Sequence, residues 1–458
     1  MKIHILGICG TFMGGIAVLA KQAGHEVSGC DANVYPPMST QLQEQGIHLS
    51  EGYHAGAIPA DVDEVVIGNA MSRGNEAVEY VLNNNIPYSS GPEWLSKHVL
   101  NQRWVLAVAG THGKTSTSSM LAWILQYAGL NPGFLIGGIP GNFGLSARMG
   151  DPPFFVVEAD EYDTAFFDKR SKFIHYHPRT AVLNNLEFDH ADIFENLDAI
   201  KKQFHHFVRT IPGDGLIVVN GDDENIRAVL EQGCWSQTAA FHQRHHADHK
   251  DDDWSIGITS EDGSQFEVLL DGKAVASVNW PMHGLHNRMN ALAAIAAAQH
   301  AGVPVEYSCE ALKEFQGIKR RLEVRGVVNN ITVYDDFAHH PTAIEETLTA
   351  MKELRANGKL FAVLEPRSNT MRMGVHKESL ANSLQQADEI CLYQPAGLNW
   401  NLDDIIAQSK APATVFSSTD NIITHLVSQA SAGDHILIMS NGGFEGIHQR
   451  LLAALAAK

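Results

Sequence analysis

The chain has 458 residues, 44% of them hydrophobic and 19% charged, with a formal net charge of −19 at pH 7. That length suits about three domains, and the acidity excludes nucleic-acid or anionic-membrane binding through bulk positive charge. Cys9, Cys30, Cys234, Cys309 and Cys391 are scattered without a CxxC pair, so neither a zinc nor a disulfide framework is expected, and a reducing, cytoplasmic location is.

Residues 1–10 enter a strand-like run without a signal-peptide pattern, and no apolar stretch reaches membrane-spanning length. Residues 3–6 (IHIL) predict a buried strand, followed by the glycine turn GICGTFMGG and a helix to Ala23. A second strand at 26–29 leads to Asp31, and another at 64–67 (EVVI) leads to Gly68 and Asn69. A glycine turn after strand one and an acidic residue after strand two mark a dinucleotide-type fold, with the helix N-terminus suited to a pyrophosphate. The spacing Gly7, Gly10, Gly14, Gly15 departs from GxGxxG.

Residues 104–109 (WVLAVA) predict the next strand, and GTHGKT turns the chain. A helix over 116–127 then places Met120, Leu121, Ile124 and Leu125 on one face. Strand, glycine turn, Lys-Thr and helix form the context of a phosphate loop. Backbone N–H groups of the turn and helix end would face an anion. Lys114 would reach the β/γ-phosphates and the Thr115 hydroxyl a Mg²⁺ ion. Val108 stands where the general GxxxxGK[ST] pattern has its first glycine.

FFVV at 154–157 leads into EADEYD, whose carboxylates suit a second Mg²⁺ ligand. Strand 180–183 (TAVL) leads into NNLEFDHADIF, bringing Asp189, His190 and Asp192 to the strand end where ligands bind in open α/β sheets. Another strand is expected at 216–219. The stretch 242–253 (HQRHHADHKDDD) is expected to be a solvated loop rather than a metal site. HGLHNRMNALAAIAAAQHAG predicts an alanine-rich helix with His286, Asn287 and Asn290 on its first turn, where Asn commonly caps. Farther on, strands at 331–334, 360–364, 390–393, 414–416 and 436–439 alternate with helices such as 341–354 and 444–457. Polar DDFAHHP, EPRSNTMR and SNGGFEG fall at strand ends, the ligand edge of a parallel sheet.

In order along the chain, GTHGKTST, EADE, NNLEFDHAD, GLHNRMNALAA, GIKRRLEVRG and YDDFAHHPTAI resemble the motifs of the Mur ligase family, the ATP-dependent amide-forming ligases of bacterial cell-wall precursor synthesis. The likeness spans essentially the whole chain. It implies an α/β protein of three domains: an N-terminal Rossmann-like UDP-binding domain (1–103), a central P-loop ATPase-type domain (104–317) and a C-terminal Rossmann-like peptide-binding domain (318–458). It also implies ATP and Mg²⁺, one ion held by Thr115 and Glu158 and a second by His190. Lys114, Glu158, His190 and Arg321 would be catalytic. Nucleotide contacts would come from Gly110, Thr111, Gly113, Lys114, Thr115, Ser116, His286, Asn287, Arg321, Asp336 and His340. Gly7, Gly10, Thr11, Gly14, Asp31 and Asn69 would hold the UDP-sugar.

The N-terminal glycine turn, DDFAHHP and KRRLE resemble the subgroup that accepts UDP-N-acetylmuramate. EPRSNTMRMG and MSNGGFEGIH resemble the member that adds the murein tripeptide L-alanyl-γ-D-glutamyl-meso-diaminopimelate in peptidoglycan recycling; the de novo L-alanine-adding member is the alternative. Arg367, Ser368 and Asn369 would then meet the peptide, the guanidinium taking a diaminopimelate carboxylate. Many members carry a carbamylated lysine, but Lys201 and Lys202 lie closer to His190 than that pattern, so the role stays open. Expected partners are these small molecules, with no nucleic acid or membrane, in a monomer or weak homo-oligomer. Two readings from other classes remain. A nucleotide-binding oxidoreductase built on the first unit fits poorly with a mid-chain phosphate loop, and a regulatory ATPase would hydrolyse ATP without a muramyl substrate.

Overall fold

Three β-sheets in succession organise the chain, as described for residues 1–34, 38–246, 253–355, 357–398 and 400–458 of a computed structural model. The first contains β1 (Lys2–Leu6), β2 (Glu26–Asp31), β3 (His48–Glu51), β4 (Glu64–Ile67) and β5 (Tyr88–Ser90) in the order β3-β2-β1-β4-β5. All four pairings are parallel. The order reverses between β1 and β4, and ligands bind in the crevice at such a reversal. The Gly7 turn and Asn69 sit there, just past the ends of β1 and β4.

The central sheet has ten strands: β6 (Trp104–Ala109), β7 (Gly133–Leu135), β8 (Ala147–Arg148), β9 (Phe154–Ala159), β12 (Thr180–Leu183), β13 (Leu216–Asn220), β14 (Gln237–His242), β15 (Trp254–Thr259), β16 (Gln265–Leu270) and β17 (Lys273–Asn279). Between β9 and β12 lies a separate two-stranded hairpin, β10 (Asp163–Ala165) and β11 (Asp168–Ser171). The sheet order is β17-β16-β15-β14-β13-β12-β6-β9-β7-β8, which places β6 between β12 and β9. Strand β6 is thus paired along both edges, and both of its faces are covered: Val105, Ala107 and Ala109 lie in one core cluster and Leu106 and Val108 in another, as an unbroken apolar run in a parallel sheet requires. Helix Lys114–Tyr127 buries Met120, Leu121, Ile124 and Leu125 as its spacing predicts, and packs on helix Leu285–His300. The β15–β17 meander is antiparallel. Residues 247–252 of the His/Asp-rich stretch lie outside the described residues.

The third sheet follows the order β18-β19-β23-β20-β21-β22, from β18 (Glu323–Val328), β19 (Ile331–Asp336), β20 (Leu360–Leu364), β21 (Glu389–Tyr393), β22 (Ala413–Phe416) and β23 (His435–Met439). Only β18 runs antiparallel to its neighbour. Three α/β units agree with the expected fold class. The first packs closely on the second: a Cβ added at Gly15 would lie 2.2 Å from Leu135 Cδ1, so this glycine serves helix-to-domain packing. Among the described residues no helix is long and apolar enough to cross a membrane.

Candidate active site

Helices Thr11–Gln22, Lys114–Tyr127 and Leu285–His300 begin at Gly10, Gly113 and Gly284, which offer no side-chain cap. Their first N–H groups are thus left for solvent or an anion. At the phosphate loop, Gly113 adopts φ 76°, and an added Cβ would meet Asn184 Nδ2 and Asn290 Oδ1 at 2.4 Å. The loop is shaped by the chain just beyond β12. Asn185 O accepts the Thr111 N–H at 3.0 Å, Asn185 Oδ1 accepts the His112 N–H at 2.7 Å, and Asn184 Nδ2 donates to His112 O at 3.1 Å. Asn290 Oδ1 accepts from Thr117 and Asn184, so Asn290 braces the loop from the neighbouring helix and does not cap its own.

Around this loop the charges converge. Lys114 Nζ donates to Gly110 O at 2.6 Å and lies 3.1 Å from Glu161 Oε2. Glu161, 2% exposed, also pairs with His190 Nε2 at 3.1 Å. Burial opposes the charge on Lys114, but the Glu161, Asp160 and Glu158 carboxylates outweigh it and hold the ammonium pKa above its ordinary value. Burial likewise opposes charge on His190, yet Glu161 and Asp189 raise its pKa. Backbone φ at His190 is +54°, the left-handed region a non-glycine residue rarely adopts. Glu158, at the end of β9, accepts the Thr115 hydroxyl at 3.1 Å and the Gly137 N–H at 2.7 Å. Burial pushes its carboxyl up despite these donors and Lys114. The buried Thr115 hydroxyl and the partly buried Glu158 carboxylate present paired hard-oxygen donors beside the loop, the donor chemistry Mg²⁺ takes. His190 stands on the far side of Glu161. Lys201 Nζ lies 3.9 Å from Asp198 on helix Leu197–Val208.

In the first unit, Gly7 turns at φ +80°, and Thr11 opens the uncapped helix Thr11–Gln22. Asp31 Oδ2 accepts the Cys9 N–H at 2.9 Å and Oδ1 the Asn33 N–H at 3.1 Å, so this carboxylate holds the glycine turn in shape. Gly14 packs under Met38, whose Sδ would lie 2.6 Å from an added Cβ. Lys172 links this unit to the second: its ammonium lies 3.2 Å from Asp160 and 5.3 Å from the Phe12 ring centroid.

The third unit docks on the same region. Thr370 Oγ1 donates to Asp189 at 2.9 Å, Asn369 Nδ2 to Asp192 at 2.9 Å, and Thr342 Oγ1 to Glu187 at 2.7 Å. On the other flank, Arg288 Nη1 pairs with Glu353 at 3.3 Å. Arg321 lies between Arg320 (φ 62°) and Leu322 (φ 48°), with its guanidinium 5.1 Å from the Phe337 ring centroid. Burial raises the Asp336 pKa although Arg321 and two N–H donors oppose it. Burial, with Arg288 and Arg321, lowers His286 to about 4. Asn287 Nδ2 donates to His283 O at 2.7 Å, and His340 caps helix Pro341–Leu354 by accepting the Thr342 N–H. Ser368 caps the short helix Asn369–Arg372. Arg367 is half exposed with Nη1 3.8 Å from Glu365. A cavity of about 210 Å³ between the second and third units is lined by Tyr162, His190, Asp192, Arg367, Asn369 and Asn441.

The sequence reading missed Glu161, His112, Glu187 and Lys172 as members of this cluster. Glu161 and Glu187 lay within motifs already singled out, EADE and NNLEFDH, but nothing in their spacing ranked one carboxylate over its neighbours.

Family profiles match in three parts: one described as "Mur ligase family, catalytic domain" over residues 2–103, one as "Mur ligase middle domain" over 108–298, and one as "Mur ligase, glutamate ligase domain" over 320–442. The chain is 56% identical over 459 residues to the UDP-N-acetylmuramate–L-alanyl-γ-D-glutamyl-meso-2,6-diaminoheptandioate ligase of Escherichia coli (strain K12), covering 100% of this chain and 99% of the relative. It is 30% identical to the UDP-N-acetylmuramate–L-alanine ligase of Clostridium acetobutylicum, over 99% of this chain and 97% of that one. The crystal structure of a murein peptide ligase from Psychrobacter arcticus 273-4 superposes with a TM-score of 0.76 at 50% identity, covering 100% of this chain and 99% of that one.

Proposed function

The chain belongs to the Mur ligase family, and on that premise we propose that it is an ATP-dependent ligase joining L-alanyl-γ-D-glutamyl-meso-diaminopimelate to UDP-N-acetylmuramate in peptidoglycan recycling. What carries the choice of tripeptide over L-alanine is the much higher full-length identity to a tripeptide-adding relative, 56% against 30%. The working domain division is 1–103, 104–317 and 318–458, the setting cytoplasmic, and the partners these small molecules.

A carboxylate is a poor electrophile. The γ-phosphoryl group of ATP is transferred to the lactyl carboxylate, giving an acyl phosphate and ADP. The tripeptide's amine adds to the acyl carbon, loses a proton, and the tetrahedral intermediate collapses to the amide with phosphate leaving. Such a sequence is served chiefly by positioning and charge neutralisation. In this reading Lys114, with the N–H groups of Gly110, Gly113 and Ser116, takes the phosphates, while Thr111, its N–H held by Asn185 O, shapes the loop around them. Thr115 and Glu158 would hold one Mg²⁺ and His190 a second, which would supply further neutralisation of phosphate charge. Glu161 favours the charged form of Lys114 and holds both Lys114 and His190 in place until phosphate arrives, a role supported by its 3.1 Å contacts to both. His286, Asn287, Arg321, Asp336 and His340 serve the nucleotide from the second and third units. Gly7, Gly10, Thr11 and Gly14 present the uncapped helix end to the UDP pyrophosphate, Asn69 faces the same crevice, and Asp31 acts by fixing the turn. Arg367 offers its guanidinium to a peptide carboxylate at the inter-unit cavity, with Ser368 and Asn369 shaping that wall.

The test is phosphate release from ATP with UDP-N-acetylmuramate, comparing L-alanine with the tripeptide. Tripeptide-dependent release is expected. Preference for L-alanine would reassign the chain to the de novo reaction, and release without any muramyl substrate would make it an ATPase.

A further inference from the structure

His112, Glu187 and His340 bring one ligand atom each within 4.8 Å of one another, at the seam where the third unit meets the phosphate loop. His112 Nε2 lies 3.3 Å and His340 Nδ1 3.5 Å from the same oxygen, Glu187 Oε2. Two donors on a tetrahedral ion with bonds of 2.0–2.1 Å stand roughly 3.3–3.4 Å apart, so both spacings fit the edges of one coordination tetrahedron. His340 Nδ1 accepts the Thr342 N–H, which makes it an unprotonated nitrogen facing a carboxylate oxygen. Two acceptors held face to face call for a cation between them. The capping contact is long, 3.3 Å, and therefore weak enough to be exchanged for an ion.

The surroundings resemble an outer coordination shell. Thr111 Oγ1 accepts the Glu187 N–H at 2.9 Å, and the His112 N–H is fixed on Asn185, so the central unit presents two ligands already oriented. The Thr342 hydroxyl donates to Glu187 Oε2 at 2.7 Å, the kind of bond that orients a ligating carboxylate. His340 Nε2 is buried without a partner, and the His340 ring packs against His376 at 4.4 Å between centroids. Two imidazoles and one carboxylate favour a borderline ion such as Zn²⁺ or Co²⁺ over Mg²⁺, which prefers oxygen ligands and water.

We propose that His112, Glu187 and His340 form a transition-metal site, separate from the Mg²⁺ positions, that exists only while the third unit is docked and fastens it to the phosphate loop. The fourth position stays open to water or substrate.

The test is Co²⁺ titration of the full-length protein in saturating Mg²⁺, followed by the strong visible absorption of four-coordinate Co²⁺. One equivalent should bind and be displaced by Zn²⁺ but not by further Mg²⁺. Glu187→Gln should weaken binding by about 100-fold or more, as should His340→Asn, which keeps a helix cap while removing the imidazole. Circular dichroism checks that both variants are folded. His190→Ala should leave the absorption unchanged. Absence of the four-coordinate spectrum, displacement by Mg²⁺, or binding that survives His340→Asn but is lost in His190→Ala would each overturn the proposal.

Discussion

Lys114 and Glu161 form a buried pair whose worth can be separated from catalysis by a double-mutant cycle. Lys114 is 13% exposed and Glu161 2%, with Nζ 3.1 Å from Oε2. At an effective dielectric of 20 the direct attraction is about 5 kcal/mol. Removing one partner leaves the other charge buried, which costs about 3–5 kcal/mol. For a unit the size of the central one this corresponds to a fall of roughly 6–20 °C in its melting temperature. Lys114→Ala and Glu161→Gln should each show that fall. The double variant should recover most of it, a coupling energy on the order of 3 kcal/mol. His190 shares Glu161, so the cycle belongs at pH 8, where a protonated imidazole compensates least. Calorimetry of the ligand-free protein reads the stability, and phosphate release should be absent in both variants that lack Lys114. Single variants melting within 2 °C of the wild type, or a double variant whose loss is the sum of the singles, would refute the reasoning.

Glu158→Gln and His190→Ala should each raise the Mg²⁺ concentration needed for half-maximal phosphate release, with excess Mg²⁺ partly rescuing the first; titrations that overlay the wild type would remove both from the metal site. Arg367→Ala should raise the tripeptide KM roughly 10- to 1,000-fold while the ATP and UDP-N-acetylmuramate values move little. A common rise in all three would assign Arg367 to domain docking instead. Burial, with Glu187 and Glu345, lifts the Glu346 carboxyl to about 7 against the pull of His112. Its folded pKa lies above the unfolded value near 4.5, so its contribution is fully present below pH 4.5 and lost as pH rises through 7. Glu346→Gln should therefore gain on the order of 1–3 kcal/mol at pH 8 and little at pH 5, read by urea unfolding at the two pH values. Equal stability of the two proteins at pH 8 would count against the burial argument.

The phosphate loop was legible because one short window carries an apolar run, a glycine turn and a helical repeat, each local and each confirmed in strand β6 and helix Lys114–Tyr127. The three α/β units followed from the same periodicities. Other features depended on contacts far apart in the chain. Glu161 lies two residues beyond the end of β9, where strand alternation no longer says which carboxylate turns inward. The Glu187–Thr342 and Arg288–Glu353 contacts join residues 155 and 65 positions apart, which no window spans. Asp31 was legible as an acidic strand end, but its pairing with the Cys9 N–H depends on how closely β1 and β2 align. From sequence Ser368 and Asn369 are expected only as peptide contacts. The structure adds that one caps a helix and the other clasps Asp192. Asn290 was read as a cap, and the fold instead turns it onto the loop beside it, because that helix starts five residues earlier, at Leu285.

Acyl-phosphate ligation makes one demand that no simple ATPase or oxidoreductase meets: an oxygen of the lactyl carboxylate must leave in the phosphate. UDP-N-acetylmuramate labelled with ¹⁸O in that carboxylate, incubated with ATP, Mg²⁺, the tripeptide and the full-length protein, should yield one labelled oxygen per phosphate released, matched by an equal amount of UDP-N-acetylmuramyl tripeptide in the mass spectrum. Phosphate carrying only water-derived oxygen, or released without that product, would contradict the assignment.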